Sequence, residues 1–217
     1  MIERYGPDAA LLLIDVQRGV HDLDHWGGPG GAMNNPDCAD RLRALLAAFR
    51  AAGRQVAFSR HDSIEPDSPL KLSRPGGAQI EGLEITPGDI VVEKDVNSAF
   101  LGTPLEILLR RAGIQRLVVA GYFTNFCVET SVRMAGNMGF DVHLAHDACA
   151  TTNRRALDGT DHPAETVHAL SVASMHGEFC TALDTDAILS LLARDRPDLR
   201  RAQGNEATSA KPEARVA

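Results

Sequence analysis

The chain has 217 residues, 44% of them hydrophobic and 24% charged, with a formal charge of −7. That length supports one substantial core and is short for two. The acidic balance argues against nucleic acid as a partner, and no run approaches the ~20 apolar residues of a membrane-spanning helix, so no membrane partner is expected. The four cysteines, Cys38, Cys127, Cys149 and Cys180, form no paired motif, and the first residues lack the basic flank and apolar core of a secretion signal. The expected location is the cytoplasm.

In chain order, Ala10 to Asp15 reads as an apolar strand, followed by a segment rich in Gly and Pro through Pro36. A helical pattern runs from Asp37 to Ala52, with Leu42, Leu45, Leu46 and Phe49 on one side, Asn35 or Asp37 as its cap and Gly53 as its stop. Gln55 to Ser59 begins the next strand, and a long polar loop continues to Gly88. Ile90 to Glu93 is the third strand. Thr103 to Ala112 is a helix capped by Thr103, with Pro104 in its first turn. Leu117 to Ala120 is the fourth strand, and a helix from Cys127 to Met138 stops at Gly139. Asp141 to Ala145 is a fifth strand, Ala164 to Met175 a helix, Glu178 to Ala182 a short closing strand, and Thr185 to Ala193 the last helix. Repeated βα units with apolar strands imply an α/β fold: one domain with a doubly wound, mostly parallel sheet and helices on both faces. The domain is expected to span residues 1–194, and the charged stretch 195–217 to be a flexible tail.

Three strand ends carry reactive groups. Cys127 follows the fourth strand at the start of a helix, where unpaired amides favour negative charge, so its thiol is expected to ionise more readily than a free one. Asp15 ends the first strand and Lys94 the third. In an open parallel sheet, ligands gather outside the carboxyl ends of the strands. A carboxylate to take the proton, an ammonium to hold the thiolate and a thiol to attack make a plausible set for nucleophilic catalysis. Taken singly, each has a structural explanation: a buried thiol as a small apolar plug, the aspartate as a cap, the lysine as a solvated strand end.

The blocks Leu13-Ile14-Asp15-Val16-Gln17, Lys94 with Asn97-Ser98-Ala99-Phe100, and Gly121 through Val128 with Thr124 and Cys127 resemble the isochorismatase-like cysteine hydrolases. That superfamily includes nicotinamidases, N-carbamoyl amidohydrolases and streptothricin hydrolase. The streptothricin hydrolase-like subgroup looks nearest, through Trp26-Gly27, Asn34-Asn35-Pro36, Arg60-His61-Asp62-Ser63 and Met175-His176-Gly177-Glu178-Phe179. The resemblance implies a Rossmann-like three-layer fold and a catalytic Asp15, Lys94 and Cys127. It also implies a cis peptide at Tyr122-Phe123 that aims the Phe123 and Cys127 amides at one oxyanion hole. It further implies a homo-oligomer, dimer or tetramer. Isochorismatases proper lack this cysteine and cleave a vinyl ether, so its presence here points to an amide-like bond. The extra glycines between Trp26 and Asn34, and bulky Tyr122, Phe123 and Phe126, depart from the subgroup's pattern and should reshape the pocket.

No metal and no cofactor is expected. Nicotinamidases of this superfamily hold an ion through an Asp-x-His pair and a later histidine, whereas here Ser63 and Ile64 follow Asp62 and no histidine lies between Asp62 and Val92. His61 is read as making an ordinary hydrogen bond near its strand end. Candidate substrate contacts are Trp26, Asn97, Phe100, Tyr122, Thr124 and Phe126; Thr124 also supports the turn, and the aromatics have core or subunit contacts as their alternative. The expected activity is cysteine-dependent hydrolysis of a C–N bond in a small amide, carbamoyl, hydrazide or lactam substrate through a thioester. The alternative is a catalytically silent binding or scaffold protein on the same fold. Gly121-Tyr122-Phe123-Thr124 lacks the glycine spacing of a dinucleotide loop, and no resolving cysteine stands near Cys127 for a redox role.

Overall fold

The computed structural model describes residues 4–27 and 32–194, so the stretch 195–217 expected to be a tail lies outside the described residues. The elements are β1 (Ala9–Ile14), α1 (Leu23–Trp26), α2 (Cys38–Ala51), β2 (Gln55–His61), β3 (Ile90–Lys94), α3 (Leu105–Arg111), β4 (Arg116–Tyr122), α4 (Glu129–Asn137), β5 (Asp141–Ala150), β6 (Arg154–Arg155), β7 (Asp161–His162), α5 (Ala164–Met175), β8 (Thr181–Leu183) and α6 (Thr185–Ala193).

Six strands form one sheet in the order β3-β2-β1-β4-β5-β8, with every neighbouring pair parallel. All six residues of β1 are buried, as a strand covered on both faces must be. The chain moves outward from β1 to β2 and β3, then returns past β1 to β4 and continues to β5 and β8. Crossovers keep one hand, so reversing direction reverses the face on which the connecting helix lies. Accordingly α2 packs with α6 on one side, and α4 with α5 on the other. The reversal places a switch point between β1 and β4, the crevice where such sheets bind ligands.

Gly121 is needed at that crevice. Its φ is +133°, and a Cβ there would lie 2.1 Å from the Ile14 carbonyl oxygen, so only glycine lets β4 run this close to β1.

Most boundaries agree with the apolar patterning; the differences lie where backbone geometry departs from regular spacing. β5 continues to Ala150 because a bulge lets Leu144 pair with Val119 and Cys149 with Gly121. The helix expected from Cys127 begins earlier, as a π-helical turn over Thr124–Val128. At α2, Asp37 makes no capping bond and instead pairs with Arg41 at 2.9 Å, while Asn35 turns to the Cys149 carbonyl at 2.7 Å. At α3 the N-cap position falls on Pro104 rather than the expected Thr103, whose hydroxyl accepts from the Leu105 amide at 3.3 Å from one residue earlier. The short helices at Arg18–His21 and Leu23–Trp26 and the hairpin β6–β7 carry no periodicity long enough to read. Among the described residues, no helix is long and apolar enough to cross a membrane.

Candidate active site

The three strand-end groups meet. Asp15 follows β1 in a left-handed backbone conformation, φ 50°, and is 1% exposed. Its Oδ1 accepts the Ser59 hydroxyl at 2.7 Å, and its Oδ2 accepts from Lys94 Nζ at 2.6 Å. Lys94 Nζ also lies 3.0 Å from His61 Nδ1, 3.1 Å from the Val96 carbonyl and 3.4 Å from Cys127 Sγ. An ammonium has three protons, so four acceptors compete for them. Burial works against the Lys94 charge, but the facing Asp15 carboxylate, aided by Cys127, outweighs it and raises the pKa above the usual lysine value. Lys94 is therefore an ammonium.

Cys127 behaves differently from the expectation of a ready thiolate. It is 7% exposed, and its pKa is raised well above that of a free thiol, first by burial and then by the Asp15 charge, with Lys94 opposing both. Cys127 is the fourth residue of a π-helical turn, in which the Val128 amide reaches back five residues to the Phe123 carbonyl at 3.2 Å, so it does not sit at the first turn of a regular helix as the sequence implied. The resting group is a thiol. It faces Asn97 Oδ1 at 3.8 Å as well as the Asp15–Lys94 pair.

Sequence reasoning underrated the residues that hold this trio. His61, paired in register with Lys94, is kept neutral by burial and by the neighbouring ammonium, so its Nδ1 can accept. Gln17, fully buried, accepts from the His61 amide at 2.7 Å and donates to the His61 carbonyl at 3.0 Å, fixing the end of β2. Ser59 orients the carboxylate. A polar residue inside an apolar strand, and a glutamine inside the first motif, were the available signals.

The other candidate residues divide. The Tyr122-Phe123 peptide is cis, and the Phe123 ring lies 5.1 Å from that of Trp26. Phe126 is 37% exposed with Arg154 over its ring, and Thr124 is fully buried with its hydroxyl 2.9 Å from His168 Nδ1. Phe100 sits in the core with its ring 6.1 Å from Phe140. Tyr122, 1% exposed, faces His21 and lines a separate cavity with Met33, Asn35 and Cys38.

Asp15, His61 and Cys127 offer oxygen, nitrogen and sulfur atoms that all lie within 4.8 Å of one another, a spacing compatible with a metal. The Lys94 ammonium already stands at hydrogen-bonding distance from each of them. A divalent ion would have to take that place against a fixed positive charge, so this donor set does not fit a resident metal.

A doubly wound parallel sheet with an acid, an ammonium and a thiol gathered at the carboxyl ends of its strands defines an α/β protein whose candidate site lies where such sheets bind ligands. The isochorismatase domain model matches residues 9–187. A solved structure of an isochorismatase-family protein from Chromobacterium violaceum superposes with a TM-score of 0.83 at 42% identity, covering 89% of this chain and 98% of the other. The isochorismatase family protein YrdC of Bacillus subtilis is 35% identical over 181 residues, 83% of this chain and 94% of its own length. A streptothricin hydrolase from Streptomyces noursei is 35% identical over 153 residues, which is 70% of this chain and 58% of that enzyme. The chain belongs to the isochorismatase family of hydrolases.

Proposed function

We propose that the protein is a cysteine-dependent amidohydrolase that cleaves a C–N bond in a small amide, carbamoyl, hydrazide or lactam substrate, with Asp15, Lys94 and Cys127 as its catalytic residues. The observation that carries this reading is the single ammonium joining the Asp15 carboxylate at 2.6 Å to the Cys127 sulfur at 3.4 Å. The relative named streptothricin hydrolase supports it independently.

In this mechanism the resting thiol passes its proton to Asp15 as the sulfur attacks the substrate carbonyl carbon. Lys94 then faces a thiolate character that burial alone would forbid, and its charge compensates the sulfur during the transfer. The Phe123 and Cys127 amides receive the developing oxyanion; loss of one such donor costs about 3–4 kcal/mol in comparable sites. The amine leaves with the proton held by Asp15, and a water activated by the same carboxylate cleaves the thioester.

A panel of small amides assayed for released ammonia or amine, with mass spectrometry of the protein during turnover, tests this. Adduct formation on Cys127, and loss of turnover in Cys127→Ala with an unchanged melting curve, are expected. Full amidase activity in Cys127→Ala would overturn the reading. The raised thiol pKa favours a second reading, a silent binding protein, and that reading predicts ligand binding with no adduct on Cys127.

A further inference from the structure

The nucleophile rides on a turn whose hydrogen bonding departs from that of a regular helix. The Phe123 carbonyl accepts from the Phe126 amide at 3.0 Å and from the Val128 amide at 3.2 Å, three and five residues further on. Its partner in an α-helix would be the amide four residues on, that of Cys127, and this bond is not made. The π-helical turn therefore takes the Cys127 amide out of the ladder to Phe123, and this is one of the two amides that the proposed mechanism assigns to the oxyanion. Relaxation of the turn to α-helical register would hand that amide back to the Phe123 carbonyl. A π turn is the rarer arrangement, so something must hold it.

The hold comes from α5. Thr124, the first residue of the turn, is fully buried, and its hydroxyl meets His168 Nδ1 at 2.9 Å. His168 lies on α5, which packs against the turn. Among the described residues neither side chain has another hydrogen-bond partner, and His168 Nε2 is buried with none. An unpaired buried ring nitrogen costs stability, so the bond at Nδ1 is the one polar contact for which this histidine is placed. Burial, with His146 nearby, lowers the ring's pKa to about 4, so the ring is neutral near pH 7 and does not act as an acid. The next residue, Asn125, is held separately, its Oδ1 accepting the Thr151 hydroxyl at 2.5 Å.

We propose that His168 is a positioning residue for the reaction, acting through Thr124 to keep the turn in its π register and the Cys127 amide aimed at the oxyanion. This deepens the amidohydrolase reading and rests on it. A contact with only a structural role would contribute to stability and affect every property of Cys127 alike. A positioning contact affects the oxyanion and leaves the attacking sulfur as it is.

Two kinds of reagent that read Cys127 differently test this. Iodoacetamide alkylates the sulfur without forming an oxyanion. Propanal and benzaldehyde take up the thiol across their carbonyl: the S–C bond forms, the π pair moves to oxygen, and that oxygen, placed where the oxyanion would lie, takes the thiol proton. Aldehyde affinity is measured at pH 7.5 as protection of Cys127 from alkylation, followed by peptide mass spectrometry, with melting curves alongside. In Thr124→Val and in His168→Leu, aldehyde affinity is expected to fall about tenfold or more while the alkylation rate stays within about threefold; deleting a donor outright costs about 10²–10³-fold, and here the amide is turned rather than removed. Thr124→Ser and His168→Asn, which keep a hydrogen-bonding pair, should recover most of the affinity. The proposal is overturned if both Thr124→Val and His168→Leu bind the aldehydes as the unsubstituted protein does, if affinity falls only in step with alkylation rate and melting temperature, or if Thr124→Ser recovers nothing. If neither aldehyde protects Cys127 in the unsubstituted protein, the amidohydrolase reading falls and the proposal with it, a result distinct from protection that survives both substitutions.

Discussion

The two ends of the sheet each hold a buried polar cluster, and they are wired differently. At the amino ends of β4 and β5, the Tyr5 hydroxyl meets His143 Nδ1 at 2.5 Å, His143 Nε2 faces Asp141 at 3.5 Å, and Arg116 Nε donates to the same aspartate at 2.7 Å. Burial keeps the His143 ring neutral and the Tyr5 hydroxyl protonated. Each proton there has one place to be. At the carboxyl ends, one ammonium faces four acceptors, and a thiol proton lies beside a carboxylate. A cluster with one donor per acceptor locks a fold, whereas a surplus of acceptors around a shared cation leaves a proton free to move.

The largest effect is expected from breaking the carboxyl-end cluster at its cation. Lys94→Met leaves the Asp15 carboxylate 1% exposed with only the neutral Ser59 hydroxyl and Cys127 thiol as side-chain donors. Removing one member of a buried pair costs about 3–5 kcal/mol, and turnover should fall about 10⁴-fold, as when a member of a catalytic unit is lost. Asp15→Asn combined with Lys94→Met should be less destabilised than the sum of the single variants, because no uncompensated charge remains. Denaturant unfolding of the three variants measures this, and strictly additive losses would show that the pair is not coupled.

At the opposite end, Tyr5→Phe strands the His143 acceptor, and a loss of about 1–3 kcal/mol of stability is expected with unchanged turnover per folded molecule. A fall in kcat larger than the fall in folded fraction would mean that the amino-end cluster is not purely structural.

Heating the protein at a series of pH values should give a smaller, graded effect. His143, His61 and His168 all have pKa values lowered by burial, His168 to about 4. Below the ordinary histidine value the unfolded chain takes up protons that the folded chain refuses, so stability is complete above about pH 6.5 and falls as pH drops below it. Each histidine contributes at most about 1.4 kcal/mol per pH unit. His168→Asn should flatten the slope between pH 6.5 and pH 4, and an unaltered slope would show that this ring is already protonated in the fold.

The apolar runs made the sheet legible: Ala10 to Ile14 and Leu117 to Ala120 have no polar residue to interrupt them, and buried parallel strands read that way. The runs also drew attention to Asp15, which ends the first, and to Lys94, which ends the run of β3, while Cys127 stood out by following β4 after a short turn. The state of Cys127 was not legible, because it depends on how deeply the thiol sinks and on how near the Asp15 charge lies, neither of which leaves a periodic trace.

The smallest effect, and the sharpest test of the comparison, lies one step back along the β2–β3 ladder. The register pairs Arg60 with Glu93 and His61 with Lys94, and because side chains alternate across a strand the two pairs point to opposite faces. Arg60 Nη1 meets Glu93 Oε1 at 2.9 Å, a shorter contact than Lys94 makes with Cys127, but the Glu93 side chain is 58% exposed. Water screens that pair, so Glu93→Gln should change stability by only about 0.2–1 kcal/mol, and less as salt is added. If Glu93→Gln destabilised the protein as much as Lys94→Met, desolvation would not be what separates the reactive end of this sheet from its surroundings, and the large loss expected at Lys94 would need another cause.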